Sequence, residues 1–289
     1  MHEFVVEISV VIPTYNRKNL LSRALKSILA QSSKPAEIIV VDDGSTDSTA
    51  SLVQGFHPDI NYFFQENHGV SSARNTGLRM ARCEWLALLD SDDEWLPSKL
   101  AAQATALSQN PEFRICHTDE IWMRRNKRVN AMRKHAKSGG WIYQRCLPMC
   151  VISPSSVLIH RSVFEEVGGF DEHLPACEDY DLWLRICASY PTLFVDEPLL
   201  KKYGGHADQL SGKFWGMDRF RVRAMEKILL AGCLGTHDRT ATIRELRYKL
   251  HLLVNGARKR NNSQVILEYS RKIARYEAAE PPYGAKAAW

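Results

Sequence analysis

The chain has 289 residues, of which 45% are hydrophobic and 25% charged, a composition typical of soluble globular proteins. No apolar run approaches the roughly 20 residues that span a bilayer, and the N-terminus lacks the basic region and cleavage site of a signal peptide. The seven cysteines form no CxxC pair. The sequence therefore predicts neither a disulfide framework nor a structural zinc site, and it points to a cytoplasmic protein.

Strands and helices alternate along about the first 110 residues, which predicts a doubly wound half with a parallel sheet. The run Ile38–Val41 has no polar position, as expected of a strand that is buried on both faces. The predicted strands are Ile8–Ile12, Glu37–Val41, Asn61–Gln65 and Trp85–Leu89, and the predicted helices are Arg17–Gln31, Thr49–Gln54, Ser71–Ala81 and Leu100–Gln109.

The pattern is less regular in the second half. Segment 124–137 is rich in Lys and Arg and has no clear period, so we predict a loop-rich excursion there. From Phe214 onward the apolar residues recur at the spacing of long helices. The other predicted strands are Phe113–Thr118, Ser155–His160 and Thr192–Asp196, and the other predicted helices are Arg161–Val167 and Asp179–Ser189.

The net charge of +5 is unevenly distributed. From Lys213 onward there are 16 Lys and Arg and 7 Asp and Glu, a net charge of +9, so the first 212 residues carry a net charge of −4. A basic tail can meet anionic lipid or an acidic partner. Peripheral contact with the inner face of a membrane and formation of a homodimer are therefore two hypotheses for the tail, beside simple packing on the rest of the chain.

Two acidic clusters each follow a short apolar strand. Residues Asp42–Asp47 (DDGSTD) follow IIVV, and residues Asp90–Asp93 (DSDD) follow WLALL. Ligands of open α/β sheets bind outside the carboxyl ends of the strands, so both clusters are expected at one crevice. Crowded carboxylates repel each other, and a divalent cation that binds a phosphorylated ligand would relieve the repulsion.

Six segments occur in a familiar order: ISVVIPTYNR, IIVVDDGSTD, GVSSARNTGL, LLDSDDEW, VGGFDE followed by EDYDLWLR, and YGGHADQLS. Together they resemble the family 2 glycosyltransferases over about residues 5–212. The resemblance implies an α/β chain with the GT-A fold, a mostly parallel central sheet flanked by helices. It also implies a nucleotide-diphospho-sugar donor, with a UDP-sugar favoured, Mn²⁺ or Mg²⁺ as cofactor, and inversion at the anomeric carbon. The expected division is a catalytic domain over 1–212, with a nucleotide-binding half (1–110) and an acceptor half (111–212), and a basic helical extension over 213–289.

The resemblance places the nucleobase at the ends of the first two strands, beside Pro13, Thr14, Tyr15 and Asp42. An ionised carboxylate only accepts hydrogen bonds, so Asp42 suits the N–H of a uracil ring, and Tyr15 can lie against the base. The alternative for Asp42 is a turn-capping role, which we expect for Asp43 and Asp47.

The sequence Asp90-Ser91-Asp92 matches the DxD signature of the resembled family. The resemblance makes Asp92 the metal ligand, Asp90 its companion near the ribose or the metal, and Ser91 part of the nucleotide site. Arg74 is expected to meet the phosphates or to pair with Asp92 or Asp93. A late His206 is expected to reach back to the metal, although a surface histidine is the common alternative.

An inverting transfer needs a carboxylate that takes the proton of the attacking hydroxyl. The resemblance places this base at Asp179, with Glu178 as its nearest rival. We expect Asp181 to face inward and pair with Arg185, four residues later on the same helix.

Two other functions compete with a glycosyltransferase, and two more lack a supporting motif. A catalytically silent sugar-nucleotide-binding or scaffold protein stays open, and a nucleotidyltransferase is disfavoured because no Gly-rich loop follows the first strand. No GxGxxG indicates a dinucleotide site, and no motif indicates nucleic-acid binding. Because the chain has no QxxRW sequence, we expect transfer of single sugars to a glycan or lipid-linked acceptor rather than processive synthesis.

Overall fold

The first half of the sheet is parallel, as predicted. The structure is a computed structural model that describes residues 6–56, 60–125, 127–130, 132–205 and 214–278. Strands β3, β2, β1 and β4 lie side by side in that order, all parallel. The elements of this half are β1 (Ile8–Thr14), α1 (Lys18–Leu29), β2 (Glu37–Asp43), α2 (Thr49–Gln54), β3 (Ile60–Gln65), α3 (Val70–Met80), β4 (Trp85–Leu88), β5 (Glu94–Trp95) and α4 (Lys99–Gln109).

Every residue of β1 and β2 is buried because apolar layers cover both faces of the sheet. Val11 and Ile39 belong to one layer, while Val10, Ile12 and Val40 belong to the other, as the alternation of side chains along a strand requires. The carboxyl ends of these strands therefore emerge side by side at one edge of the sheet.

The second half of the sheet is mixed. β8 runs antiparallel to both β4 and β6, and β9 lies parallel to β6. The elements are β6 (Ile115–Arg124), β7 (Lys127–Val129), α5 (Tyr143–Cys146), β8 (Val157–His160), α6 (Arg161–Val167), α7 (Glu178–Ser189) and β9 (Leu193–Gly204), with short 3-10 helices at Arg133–His135 and Pro154–Ser156.

Segment 124–137, which was predicted to be loop-rich, also contains two short regular elements. It contains β7, which pairs antiparallel with the end of β6, and a short 3-10 helix. Lys127 and Arg128 of β7 are exposed, so the strand lacks the apolar alternation that would have revealed it. Strand β9 likewise continues to Gly204, eight residues beyond its predicted end at Asp196.

Three helices close the described chain: α8 (Asp218–Ala231), α9 (Thr236–Lys259) and α10 (Ser263–Ala278). Phe220 and Leu246 belong to the same apolar cluster as Tyr180 of α7 and Val11 of β1, so the core is continuous across the predicted boundary at residue 212. Among the described residues, no helix combines the length and hydrophobicity needed to cross a membrane.

Candidate active site

A cleft with two recesses opens at the carboxyl ends of β1, β2 and β4. We call the first, of about 290 Å³, the carboxylate recess because Asp90, Asp92 and Asp179 line it. We call the second, of about 320 Å³, the tyrosine recess because Tyr15 lines it together with Asp43. Four residues border both recesses: Pro13, Arg17, Val70 and Ser91. Both acidic clusters thus border one cleft, as predicted, and its size suits an elongated ligand with two parts.

Asp90, Asp92 and Asp93 lie close together in the loop after β4. Each offers a carboxylate oxygen, and these oxygens lie within 4.8 Å of one another. Burial and the negative charges of Asp92 and Asp90 raise the pKa of Asp93 well above its ordinary value. An oxygen-only ligand set fits Mg²⁺ or Mn²⁺, and a cation would relieve the repulsion. Two of the predicted ligands, Asp90 and Asp92, therefore lie together, with Asp93 beside them.

The cluster is held by groups from three other parts of the chain. The Ser155 hydroxyl donates to Asp93 (2.6 Å) and accepts a hydrogen bond from the backbone N–H of Asp90 (3.0 Å). The backbone N–H of Tyr203, on β9, donates to the other Asp93 oxygen (3.0 Å), and Arg17 lies 3.1 Å from Asp92. These contacts fix the loop without using all the carboxylate lone pairs.

Arg74, on α3, connects the acidic loop to α7. Its two terminal nitrogens lie 2.7 Å from Asp90 and 2.7 Å from Glu178, and the side chain is almost completely buried. The prediction that Arg74 pairs with Asp92 or Asp93 was therefore wrong. Asp90 is the partner instead, and its carboxylate also borders the recess. A planar guanidinium can bridge two carboxylates in this way, which holds two sides of the recess together.

Helix α7 begins in the carboxylate recess at an unusual backbone position. Cys177, just before it, has φ +61°, a left-handed conformation that is uncommon outside glycine. Asp179 is half-buried and accepts hydrogen bonds from the N–H of Tyr180 (2.7 Å) and the thiol of Cys150 (3.2 Å). The carboxylate thus lies at the N-terminus of α7, in the first turn of the helix.

Glu178 differs from Asp179 in its surroundings. It is buried against Arg74, and burial together with the adjacent Asp179 raises the pKa of Glu178 although Arg74 opposes the shift. Asp181 faces inward and pairs with Arg185 (2.9 Å), which confirms that prediction. Of the two candidate bases, Asp179 is the more accessible.

The tyrosine recess contains Tyr15, which is 45% exposed, and Thr14, whose buried hydroxyl has no hydrogen-bond partner among the described residues. Asp42 lies outside the lining. It accepts hydrogen bonds from the backbone N–H of Ser45 (2.8 Å) and the hydroxyl of Tyr62 (2.7 Å). A nucleobase contact by Asp42 stays a prediction.

Asp43 is the carboxylate that lines the tyrosine recess. It accepts hydrogen bonds from Gln65 (2.7 Å) and from the backbone N–H groups of His68 (3.0 Å) and Gly69 (2.8 Å), so it also has the structural role predicted for it. Consecutive residues of a strand face opposite sides, which is why only one of the two aspartates of β2 reaches the recess.

Several residues that sequence reasoning did not assign to the site line the carboxylate recess, among them Cys150, Lys202 and Arg221. No motif marks them, and Arg221 lies in the helical extension, which was not expected to reach the site. His206, the remaining predicted metal ligand, lies outside the described residues.

Comparisons with known proteins agree with this geometry. The model of the glycosyl transferase family 2 matches residues 9–168, more than half of the chain. An uncharacterized glycosyltransferase of Rickettsia conorii is 34% identical over 216 residues, which are 71% of this chain but 35% of that protein. The chain thus spans about a third of the length of this relative.

Two further proteins are informative. A GalNAc(5)-diNAcBac-PP-undecaprenol beta-1,3-glucosyltransferase of Campylobacter jejuni is 44% identical over 100 residues, 33% of this chain and 32% of that one. The crystal structure of S. aureus TarS 1-349 in complex with UDP-GlcNAc superposes with a TM-score of 0.68 at 20% identity, covering 84% of this chain and 71% of that one. The likeness to TarS shows a shared GT-A fold. With the family model matched over residues 9–168, the chain belongs to glycosyl transferase family 2.

Proposed function

We propose that the protein moves a single sugar from a nucleotide-diphospho-sugar, with a UDP-sugar favoured, to a hydroxyl of a glycan or lipid-linked acceptor, with inversion. One observation carries the proposal: Asp179 and the Asp90, Asp92 and Asp93 cluster line the same recess, next to a recess with an exposed tyrosine. The UDP-GlcNAc bound to TarS and the lipid-linked substrate in the name of the C. jejuni relative support the choice of donor and acceptor.

The tyrosine recess suits the nucleoside. Tyr15 offers an exposed aromatic face for the base, and Thr14 and Asp43 offer polar atoms beside it. The diphosphate would then extend past Ser91 into the carboxylate recess. Asp92, Asp90 and Asp93 would hold Mn²⁺ or Mg²⁺ there, and the ion would neutralise charge on the diphosphate.

Asp179 is the proposed general base. In a single displacement, the acceptor oxygen forms a bond to the anomeric carbon while the bond from that carbon to the phosphate oxygen breaks. The proton of the acceptor hydroxyl goes to an Asp179 oxygen, and the electron pair of the broken bond leaves with the nucleoside diphosphate. The Cys150 thiol and the N–H of Tyr180 hold Asp179 in place, and Arg74 fixes Glu178 beside it.

The test combines binding with turnover. Titration calorimetry with UDP, with and without Mn²⁺, should show binding in the wild type that depends on the metal and is weakened at least tenfold by Asp92→Asn. Asp179→Asn should bind UDP normally but lose transfer from UDP-sugars by a factor of 10² or more. Asp196→Asn, at an exposed position of β9, serves as the matched control.

Two outcomes would contradict the proposal. If UDP, GDP and dTDP all fail to bind, the cleft is not a nucleotide site. If UDP binds but Asp179→Asn transfers as fast as the wild type onto a screened acceptor, another group is the base. NMR of the product's anomeric proton decides between inversion and retention.

A further inference from the structure

Lys202, on β9, lines the carboxylate recess and differs from the other cations there. Arg17 pairs with Asp92, Arg74 with Asp90 and Glu178, and Arg221 with Asp218 on its own helix, 2.8 Å away. Lys202 instead donates a hydrogen bond to a neutral group, the hydroxyl of Ser153 (2.8 Å). Among the described residues no carboxylate forms an ion pair with Lys202.

A buried chain of polar groups fixes this position. The Ser153 hydroxyl gives its proton to Glu120 (2.6 Å), so its lone pair is free to accept from Lys202. Glu120 in turn accepts hydrogen bonds from Lys137 (2.8 Å) and from the indole of Trp122 (2.8 Å). The side chains of Glu120 and Lys137 are 4% and 3% exposed, so this support is shielded from water. Lys202 is held before any ligand arrives.

Lys202 stays positively charged, and Ser153 uses only one of its N–H donors. Burial opposes the charge, but the carboxylates of Glu120, Asp93 and Asp179 outweigh it and raise the pKa of Lys202 above its ordinary value. An ammonium has three N–H donors, and Ser153 takes one of them. The remaining two are available to a ligand in the recess that the acidic loop and Asp179 border.

We propose that Lys202 binds the terminal phosphate of the nucleotide diphosphate and stabilises the charge that develops on it as the sugar leaves. The inference rests on the proposed function, because it takes the donor to be a nucleotide-diphospho-sugar. A phosphate fits because a lysine meets it as a compact point charge, and because negative charge on the departing oxygen grows in this recess. A nucleoside monophosphate has no group at this position.

The experiment compares UDP with UMP, both titrated calorimetrically in the presence of Mn²⁺. Removing one charge-assisted hydrogen bond by Lys202→Met should weaken UDP binding about 10- to 100-fold. UMP binding should change less than about threefold, since UMP lacks the second phosphate. Lys202→Arg should recover part of the UDP affinity, and Ser153→Ala, which removes the anchor of Lys202, should give an intermediate loss.

Lys201→Met is the matched control. Lys201 precedes Lys202 on β9, faces the other side and pairs with Glu94 (2.7 Å), outside both recesses. It should keep the UDP affinity of the wild type. The proposal is overturned if Lys202→Met binds UDP as the wild type does, or if it loses UDP and UMP equally while its thermal unfolding is unchanged. Failure of the wild type to bind any nucleotide would instead remove the donor site itself, and this inference with it.

Discussion

Lys227, on α8, places its ammonium 2.9 Å from the carboxylate of Asp181, on the helix that begins with Glu178 and Asp179. The same ammonium lies 2.6 Å from Asp171, in the turn before that helix. One lysine of the C-terminal extension therefore ties down both the helix with the proposed base and the segment leading into it.

Lys227→Met should lower the free energy of unfolding by about 1 kcal/mol, because the lysine is partly exposed and solvent screens the pair. Asp181 is nearly buried but keeps Arg185 as a partner, which limits the loss. Urea unfolding measures the change, and Lys259→Met, at an exposed position of α9, is the control. A double-mutant cycle with Asp181→Asn that shows no coupling would contradict the pairing.

Arg74→Met should lower the free energy of unfolding by about 3–5 kcal/mol, because it leaves the carboxylates of Asp90 and Glu178 without their shared cation. Burial and the adjacent Asp179 raise the pKa of Glu178, and in the variant Arg74 no longer opposes this shift. The loss of unfolding free energy in the variant is therefore largest at neutral pH, and it becomes smaller as the pH falls through the raised pKa. Urea unfolding of the wild type and the variant between pH 7 and pH 4 measures this change. A difference in unfolding free energy that stays constant over this range would contradict the prediction. Arg79→Met, on the exposed end of the same helix, is the control.

Lys99 is a fully buried lysine with no acidic partner among the described residues. Its ammonium lies 3.2 Å from the carbonyl of Val157 and 3.9 Å from the centre of the Trp95 ring. Burial lowers the pKa of Lys99 from 10.5 to about 7, so the folded state resists protonation. The loss of stability caused by burying the charged Lys99 is therefore complete below pH 7, and it disappears as the pH rises toward 10.5.

Lys99→Met should therefore gain stability relative to the wild type as the pH is lowered from 9.5 to 7, by up to about 1.4 kcal/mol per pH unit. Unfolding in urea at several pH values gives the slope. An unfolding free-energy difference that does not vary with pH would show that Lys99 stays protonated in the folded protein.

Substitution of two glycines by alanine should change the stability of the protein in opposite directions. A Cβ on Gly77, in α3, would lie 2.2 Å from Cγ1 of Val11, so Gly77→Ala forces α3 away from β1 and should cost about 1–3 kcal/mol. A Cβ on Gly256, in α9, would meet the flexible end of Arg260 at 3.1 Å, and Gly256→Ala should gain up to about 1 kcal/mol. Thermal unfolding of both variants checks the prediction, and equal signs would refute it.

Asp43→Asn should weaken UDP binding at least tenfold, whereas Asp42→Asn should leave it within about threefold of the wild type. The two positions should differ because Asp43 lines the tyrosine recess, whereas Asp42 lies outside its lining and accepts hydrogen bonds from Ser45 and Tyr62. Each substitution keeps one carbonyl oxygen, so the pair is matched. The opposite order of UDP affinities would support the nucleobase contact predicted for Asp42 from the sequence.

The sequence was a good guide wherever the chain repeats a simple pattern. The apolar run of β2 and the helical spacing in α1 predicted the parallel half within a few residues. Asp92, Asp90 and Asp179 were placed at the site by motif order, and the cleft does bring them together. Local patterns and fixed segment order are enough for such features.

The rest depended on contacts between distant parts of the chain. No residue near Arg74 in the sequence indicates that Arg74 pairs with Glu178, which is 104 residues away. Lys202 reaches the site because β9 continues past its predicted end, and Arg221 because α8 packs on α7. β7 escaped prediction because charged residues occupy an edge strand with no buried face to mark it.

The family match ends at residue 168, and Asp179, Lys202 and Arg221 all come after it. The wall of the recess that carries the proposed base is thus built by a part of the chain that the family model does not match. If the proposed function is right, relatives that share strands β1 to β4 need not use the same acceptor, because residues after 168 build the wall next to the proposed base. A search for the acceptor is better guided by similarity in residues 169–278 than by the family name.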